Sequence, residues 1–320
     1  MRRFLAGFIT AVSLSLVVGC SAESKPNPPP VQAPPIPRPY TTLPGEAAPT
    51  PFAAGELRED VVFGKASGVE LKLDVAIPKG DGPFPAVVCF HGGSWAAGSK
   101  SSYRQILMEF ARRGIIAASA DYRLAPDFQF PAQIEDCKCS VRYLRANAKV
   151  LKLDPNRIAA IGDSSGGQLA LLLAFSDKND GMEGDGGNPE QSSRVCAVVN
   201  MYGRSDFTVP GTFPEGGEIY FKNYLGTADH NDPIMKKASP VYYITKDDPP
   251  VLTLHGARDT LVPPMLSKRL HEKLKAAGIE ERLEFFEHSG HNDWDPDDWS
   301  KAIFMAVEYI EKKLKAPEKK

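Results

Sequence analysis

Residues 157–175 read Arg157-Ile158-Ala159-Ala160-Ile161-Gly162-Asp163-Ser164-Ser165-Gly166-Gly167-Gln168-Leu169-Ala170-Leu171-Leu172-Leu173-Ala174-Phe175. An apolar run of strand length leads into a serine bounded by glycines, and that turn opens onto a strongly helical segment. Strand, tight turn and helix in this order make a nucleophile elbow. The turn is so sharp that its serine takes a strained backbone conformation, and the residues two before and two after it must be small. The hydroxyl then stands at the top of a sheet, against the positive N-terminal end of the next helix. Register selects Ser164, with Gly162 two residues before it and Gly166 two after, whereas Ser165 has Asp163 at the first of those places. In a chain with 27 glycines such a motif is weak alone, and its context must carry it.

One competing context is the Gly-Asp-Ser-Gly-Gly segment of chymotrypsin-like proteases, which this stretch resembles. Those enzymes are all-β and place a histidine and then an aspartate upstream of the serine. Here the turn enters a helical segment, and the best acid and base candidates follow it. Upstream, the strand Ala86-Val87-Val88-Cys89-Phe90 runs into His91-Gly92-Gly93-Ser94-Trp95, where an oxyanion loop belongs. Downstream, the buried-strand pattern Pro250–Leu254 precedes His255-Gly256-Ala257-Arg258-Asp259-Thr260-Leu261-Val262-Pro263, and Leu283–Phe286 precedes Glu287-His288-Ser289-Gly290-His291-Asn292-Asp293-Trp294. An acid and a histidine on loops after consecutive strands reach an elbow serine across the C-terminal edge of one parallel sheet.

His-Gly-Gly-Ser-Trp, Asp121-Tyr122-Arg123-Leu124-Ala125-Pro126, Phe130-Pro131-Ala132, Gly-Asp-Ser-Ser-Gly-Gly, Ala238-Ser239-Pro240, His-Gly-x-x-Asp-x-x-Val-Pro and Gly-His occur here in order. Together they resemble the hormone-sensitive-lipase-like carboxylesterases of the α/β-hydrolase fold, and most of all the bacterial branch of acetyl xylan and feruloyl esterases. The resemblance implies a serine carboxylesterase without cofactor, with Ser164 as nucleophile, Asp259 as acid and His291 as base. It also implies an oxyanion hole from the N–H groups of Gly93, Ser94 and Ser165. Two positions depart from the pattern: Ser94 replaces the usual third glycine, and Asn292 follows His291 where glycine is common.

Alternatives stand beside each assignment. His288 competes with His291 for the base, and Glu287, Asp293 and Asp295 compete with Asp259 for the acid, although they sit in a charged cluster typical of a solvated surface. Ser164 could serve as a helix N-cap. His91 is expected to orient its loop through hydrogen bonds, His255, which opens the acid loop, to be structural, and Asp163 to belong to the loop architecture. The chemistry needs these residue types because a serine hydroxyl is a poor nucleophile until an imidazole takes its proton. That imidazole must be held in one tautomer by a carboxylate, and fixed N–H dipoles must meet the oxyanion. No Cys/His cluster of ligand spacing suggests a metal.

The N-terminus speaks of location. Met1-Arg2-Arg3 is basic, Phe4 to Val18 is apolar, and Leu16-Val17-Val18-Gly19-Cys20 resembles a bacterial lipobox. Residues 1–19 are thus expected to be a secretory signal, too short for an ordinary spanning helix, with Cys20 as the lipidated residue. A plain signal peptide or an uncleaved anchor is the alternative. Residues 20–55 are proline-rich and read as an extended tether. The expected product is an exported enzyme held in the bacterial cell envelope by its lipid. Residues 56–315 form one catalytic domain and 316–320 a tail. A net charge of −2 without a basic stripe gives no sign of nucleic-acid binding.

Within the domain, strands are expected near 59–63, 69–77, 84–90, 115–121, 157–162, 194–201, 250–255 and 282–287. Helices are expected near 100–113, 131–148, 165–176, 264–277 and 298–314. Their alternation after the first two strands predicts an α/β fold with a mostly parallel eight-stranded sheet covered on both faces. Residues 177–193 are glycine-rich and acidic and read as a mobile surface loop. Residues 202–241, with Phe207, Phe213, Tyr220, Phe221 and Tyr224, form either a small lid or an aromatic excursion packed on the body. Lipase-like members of the resembled group carry a helical cap ahead of the first strand; the proline tether stands there in this chain, so the cap is expected to be absent and the site open, favouring small acyl groups on bulky alcohols such as carbohydrates. Trp95 and Trp294 are candidates to stack on a sugar ring. A prolyl-oligopeptidase-type peptidase and a catalytically dead surface binding module are the competing functions.

Overall fold

The structure, a computed structural model, describes residues 55–315. The expected signal segment, Cys20, the tether up to residue 54 and the tail 316–320 lie outside the described residues. Eight strands form one sheet: β1 (Glu56–Ala66), β2 (Val69–Ile77), β3 (Phe84–Phe90), β4 (Ile116–Ala120), β5 (Leu153–Asp163), β6 (Val198–Met201), β7 (Val251–Gly256) and β8 (Glu281–Phe286). They lie in the order β1-β2-β4-β3-β5-β6-β7-β8. β1 pairs antiparallel with β2, and β2 with β4; every other neighbouring pair is parallel. Eight α-helices connect and cover them: α1 (Arg104–Arg112), α2 (Ala132–Ala146), α3 (Ala148–Leu151), α4 (Ser165–Phe175), α5 (Glu218–Leu225), α6 (Pro233–Lys237), α7 (Met265–Ala276) and α8 (Pro296–Leu314).

The near-continuous apolar runs of the central strands follow from burial on both faces. In β3, Ala86, Val88 and Phe90 point into one core with Ile134 and Leu144 of α2, Leu171 and Leu172 of α4 and Leu270 of α7. Val87 and Cys89 point into the other, with Ile106 and Phe110 of α1 and Ile303, Val307 and Ile310 of α8. The helices differ in character accordingly. α8 carries a polar outer face and is capped at its start by Asp295, whose carboxylate accepts from the N–H groups of Asp297 and Asp298, with Pro296 at its first position. α4 has no polar face at all: every one of its residues is buried. Trimming a leucine there, such as Leu172→Ala, should cost about 2–5 kcal/mol through lost burial and the cavity left behind.

Several boundaries depart from those read in the sequence: β1 reaches from Glu56 to Ala66 rather than 59–63, and β6 begins at Val198 rather than 194. The helix expected at 100–113 begins as a 3-10 turn, Lys100–Tyr103, whose Lys100 ammonium turns inward to the buried carboxylate of Asp74 at 2.8 Å. The helix at 131–148 breaks at Asn147, which ends α2 and starts α3. β5 begins at Leu153, four residues early, with its register against β3 shifted between Phe84 and Ala86. Residues 177–193 are not a free surface loop. Glu183 accepts from Lys138 Nζ and Arg142 Nη1, each at 2.8 Å, and the Gly186 carbonyl accepts from the Lys65 N–H at 3.0 Å. The acidic character of that segment is thereby matched by two buried cations of α2.

Candidate active site

The C-terminal ends of β3, β5, β7 and β8 place their following loops at one edge of the sheet. At the end of β5 the chain turns through Ser164 with φ +50° and ψ −118°, a conformation a non-glycine residue adopts only under constraint. The constraint is visible in its flanking residues. A Cβ on Gly162 would lie 2.2 Å from the Gly166 carbonyl oxygen, and one on Gly166 would lie 2.0 Å from that of Phe90. The Ser164 N–H donates to the Met201 carbonyl at 2.9 Å, tying the elbow to β6.

Ser164 Oγ lies 2.9 Å from His291 Nε2, and His291 Nδ1 lies 2.7 Å from Asp259 Oδ2. A carboxylate only accepts, so Nδ1 carries the proton and Nε2 is left to accept from the serine hydroxyl. Burial works against the charge on Asp259, but hydrogen bonds from His255 and His291 outweigh it and hold the carboxyl well below the usual carboxylate range. Its other oxygen accepts from the N–H groups of Leu261 at 2.9 Å and Val262 at 2.8 Å. The acid is therefore ionised and fixed by four donors. His288, by contrast, is exposed and turned toward Asp298, while Asp295 caps α8. The arrangement brings together Ser164, His291 and Asp259 and excludes their competitors.

The loop after β3 faces the same serine. Gly93 has φ +124°, and Ser94 and Trp95 follow at φ +54° and +60°, a run of left-handed backbone that curls the chain round the elbow. Among the described residues no acceptor meets the N–H groups of Gly93, Ser94 or Ser165, and Ser94 and Ser165 line the cleft beside Ser164. The geometry thus leaves these dipoles available to a developing oxyanion. Asp163 clamps this loop to the elbow: its Oδ1 accepts from the Gly92 N–H at 3.1 Å and the Tyr103 hydroxyl at 2.7 Å. Burial pushes its carboxyl above the usual range, against these donors and the nearby His91. His91 itself is buried, stacked on Tyr122 with ring centroids 4.3 Å apart, and its Nδ1 bonds the Gly92 carbonyl at 2.8 Å.

The two tryptophans do not share a site. Trp95 borders the cleft, but its ring lies flat on Tyr224 at 4.1 Å and its Nε1 donates to Gln168 at 2.9 Å. Trp294 is no part of the cleft. It packs among Tyr202, Phe286 and Trp299 in the core on the opposite face of the sheet, because the chain turns inward after His291 to start α8. The segment 202–241 combines both roles open to it: Phe207 and Tyr224 are core, whereas Arg204, Pro214, Tyr220 and Phe221 wall the cleft. Arg204, which nothing in the sequence singled out, is the one charged residue beside Ser164 and His291 along that lining. The cleft, its open mouth included, has a volume of about 490 Å³.

The BD-FAE family model matches residues 73–274. Esterase LipC of Mycobacterium tuberculosis is 33% identical over 202 residues, covering 61% of this chain and 49% of that protein. The isoprenylcysteine alpha-carbonyl methylesterase ICME of Arabidopsis thaliana is 26% identical over 255 residues, covering 76% of this chain and 58% of that protein. The chain spans about half the length of these curated relatives. Among solved structures, a propionate-bound esterase of Thermogutta terrifontis superposes with a TM-score of 0.69 and 28% identity, covering 84% of this chain and 98% of that one. A truncated carbohydrate esterase from gut microbiota, at TM-score 0.71 and 22% identity over 84% of this chain and 99% of that one, shares the fold. With the eight-stranded, mostly parallel sheet and the elbow at its centre, these matches show an α/β-hydrolase fold. The chain belongs to the BD-FAE family, within the hormone-sensitive-lipase-like group.

Proposed function

We propose that this protein is a serine carboxylesterase that removes short acyl groups through an acyl-enzyme intermediate. The observation that carries it is the hydrogen-bonded line from Ser164 Oγ through His291 to Asp259, with a strained serine at its head. Ser164 Oγ attacks the acyl carbon as its proton passes to His291 Nε2, and the N–H groups of Gly93, Ser94 and Ser165 receive the oxyanion. The C–O bond to the alcohol then breaks, and the alcohol leaves with the proton from His291. Water attacks the acyl-serine by the same route in reverse and frees the acid. Residues of the segment 202–241 close one side of the cleft, which supports acetyl to butyryl groups over long chains. Each methylene gains about 0.8 kcal/mol only where an apolar channel buries it.

Acetyl or feruloyl esters of carbohydrates are the natural substrates we favour, since an open mouth accepts a bulky alcohol. The lipobox-like Leu16–Cys20 and the proline tether support attachment to the cell envelope through Cys20. A p-nitrophenyl phosphonate tests the central reading. It should label the protein once, at Ser164 by peptide mass spectrometry, and fail on Ser164→Ala; labelling at another residue would reject it. Release of acetate from acetylated xylan and of ferulate from feruloylated arabinoxylan then reads the substrate, and preference for p-nitrophenyl decanoate over butyrate would refute the short-chain assignment.

A further inference from the structure

Arg204 sits in the loop after β6, is 2% exposed, and borders the cleft together with Ser164 and His291. A buried guanidinium ordinarily has a carboxylate partner. Among the described residues Arg204 has none within ion-pair distance. Its Nη1 donates to Thr212 Oγ1 at 3.0 Å, and its Nη2 to the carbonyls of Thr212 at 2.6 Å and Leu261 at 3.1 Å. These neutral acceptors fix the side chain without cancelling its charge. The rings of Phe207, Phe213 and Phe221 surround it, with centroids 5.8, 5.4 and 5.1 Å from Cζ. They keep water from its flanks and hold the fork in place. No acceptor among the described residues meets the Nε–H. Burial lowers the guanidinium to about 10, against the nearby Asp259 and Asp206, so the group remains cationic at neutral pH. The remaining cleft lining is largely apolar: Trp95, Pro214, Phe221, Leu261 and Val262.

We propose that Arg204 is the receptor for a carboxylate carried by the substrate, so that the cleft takes acidic esters, such as monoesters of dicarboxylic acids or acylated acidic alcohols. This rests on Ser164 being an ester-attacking nucleophile and adds to it a substrate class. An anion entering the cleft supplies the counterion that the fold withholds and finds the Nε–H already oriented. A neutral ester of the same shape leaves the cation unpaired.

Two matched pairs test this on the whole chain. Mono-p-nitrophenyl succinate against p-nitrophenyl butyrate places the carboxylate in the acyl part, and 4-acetoxybenzoate against 4-acetoxybenzamide places it in the alcohol. The acidic member of one pair should be favoured in kcat/KM by about 10- to 100-fold, expressed mainly in KM, as for loss of one charge-assisted hydrogen bond. Arg204→Gln should bring that ratio to about one. Arg204→Lys, which keeps the charge but loses the fork, should leave a reduced preference; it carries the assignment if the glutamine variant fails to fold. Equal or better turnover of both neutral members by the wild type overturns the proposal, and so does a preference that survives in folded Arg204→Gln. Should no ester be turned over, the nucleophile reading is what fails. Titration calorimetry of monomethyl succinate and methyl butyrate with Ser164→Ala protein then still decides, and equal affinities reject the carboxylate site.

Discussion

His255 and His291 share a single acceptor: Oδ2 of Asp259 lies 3.0 Å from His255 Nε2 and 2.7 Å from His291 Nδ1. The Val262 carbonyl, 2.9 Å from the same His255 nitrogen, can only accept, so that nitrogen carries its proton. His255 Nδ1 then accepts from the Ser267 hydroxyl at 2.8 Å. One imidazole thus draws charge from the carboxylate that the other depends on.

The first prediction concerns this sharing. In His255→Ala the carboxylate loses one of its four donors and is held less firmly against His291. kcat on p-nitrophenyl acetate should fall by about tenfold, the worth of one hydrogen bond, and thermal unfolding should show a loss of about 1–3 kcal/mol from the unsatisfied groups of Ser267 and Val262. A variant with lowered melting temperature but unchanged kcat would reduce His255 to a structural role.

Ser164→Ala should lose at least about a thousandfold in kcat on p-nitrophenyl acetate while its circular dichroism and melting temperature stay near those of the wild type. Ser165→Ala should lose far less, because the oxyanion needs the backbone N–H and not the hydroxyl. Inactive Ser165→Ala beside active Ser164→Ala would contradict the elbow register.

Asp259→Asn should lower kcat by about 10⁴-fold through loss of tautomer control. It also has a stability signature. The folded carboxyl titrates below its unfolded counterpart, so its contribution is complete above the unfolded value of about 3.9 and is lost as pH falls toward the folded one. Chemical denaturation should show a gap between wild type and variant at pH 7 that narrows only below about pH 4; a gap that closes between pH 7 and 5 would assign it to another group.

For Asp163 the sign reverses. Its folded carboxyl is raised by burial, so the wild type loses stability as pH rises through that folded value. Asp163→Asn keeps an oxygen for Gly92 and Tyr103 and removes the buried charge, so it should be at least as stable as the wild type at pH 7. Asp163→Ala should instead release the loop after β3 and lower kcat more than it raises KM. A strongly destabilised asparagine variant at neutral pH would show that the ionised form is needed.

How much of this was legible in the sequence depends on what imposed each feature. The elbow could be read because carbonyl oxygens approach Gly162 and Gly166 too closely for any side chain, which leaves a fixed spacing in the chain. The sheet could be read because burial on both faces leaves uninterrupted apolar runs. Asp259 and His291 follow the order of strands along one sheet edge. Trp294 misled because nearness in sequence to His291 does not say which face of the sheet a side chain enters. Residues 177–193 misled because acidic composition suggests water, whereas the partners of Glu183 are Lys138 and Arg142, some 40 residues away on another element. Arg204 was invisible: one arginine between Gly203 and Ser205 has no spacing to mark it, and only the closure of the 202–241 segment brings three phenylalanines round it.

Asp163, Ser164 and Ser165 stand consecutively and divide the work of the turn among them. The first clamps the neighbouring loop, the second presents a hydroxyl, and the third offers a backbone N–H. Reactivity is thereby concentrated in a turn with almost no tolerance for variation. Pro214 and Tyr220, both only partly buried, border the same cleft from a segment that contributes no strand to the sheet. Those positions can therefore vary without disturbing the chemistry. The fold separates a rigid engine from an adaptable mouth, and a library randomised at those two positions should change which esters are accepted far more often than whether any ester is cleaved.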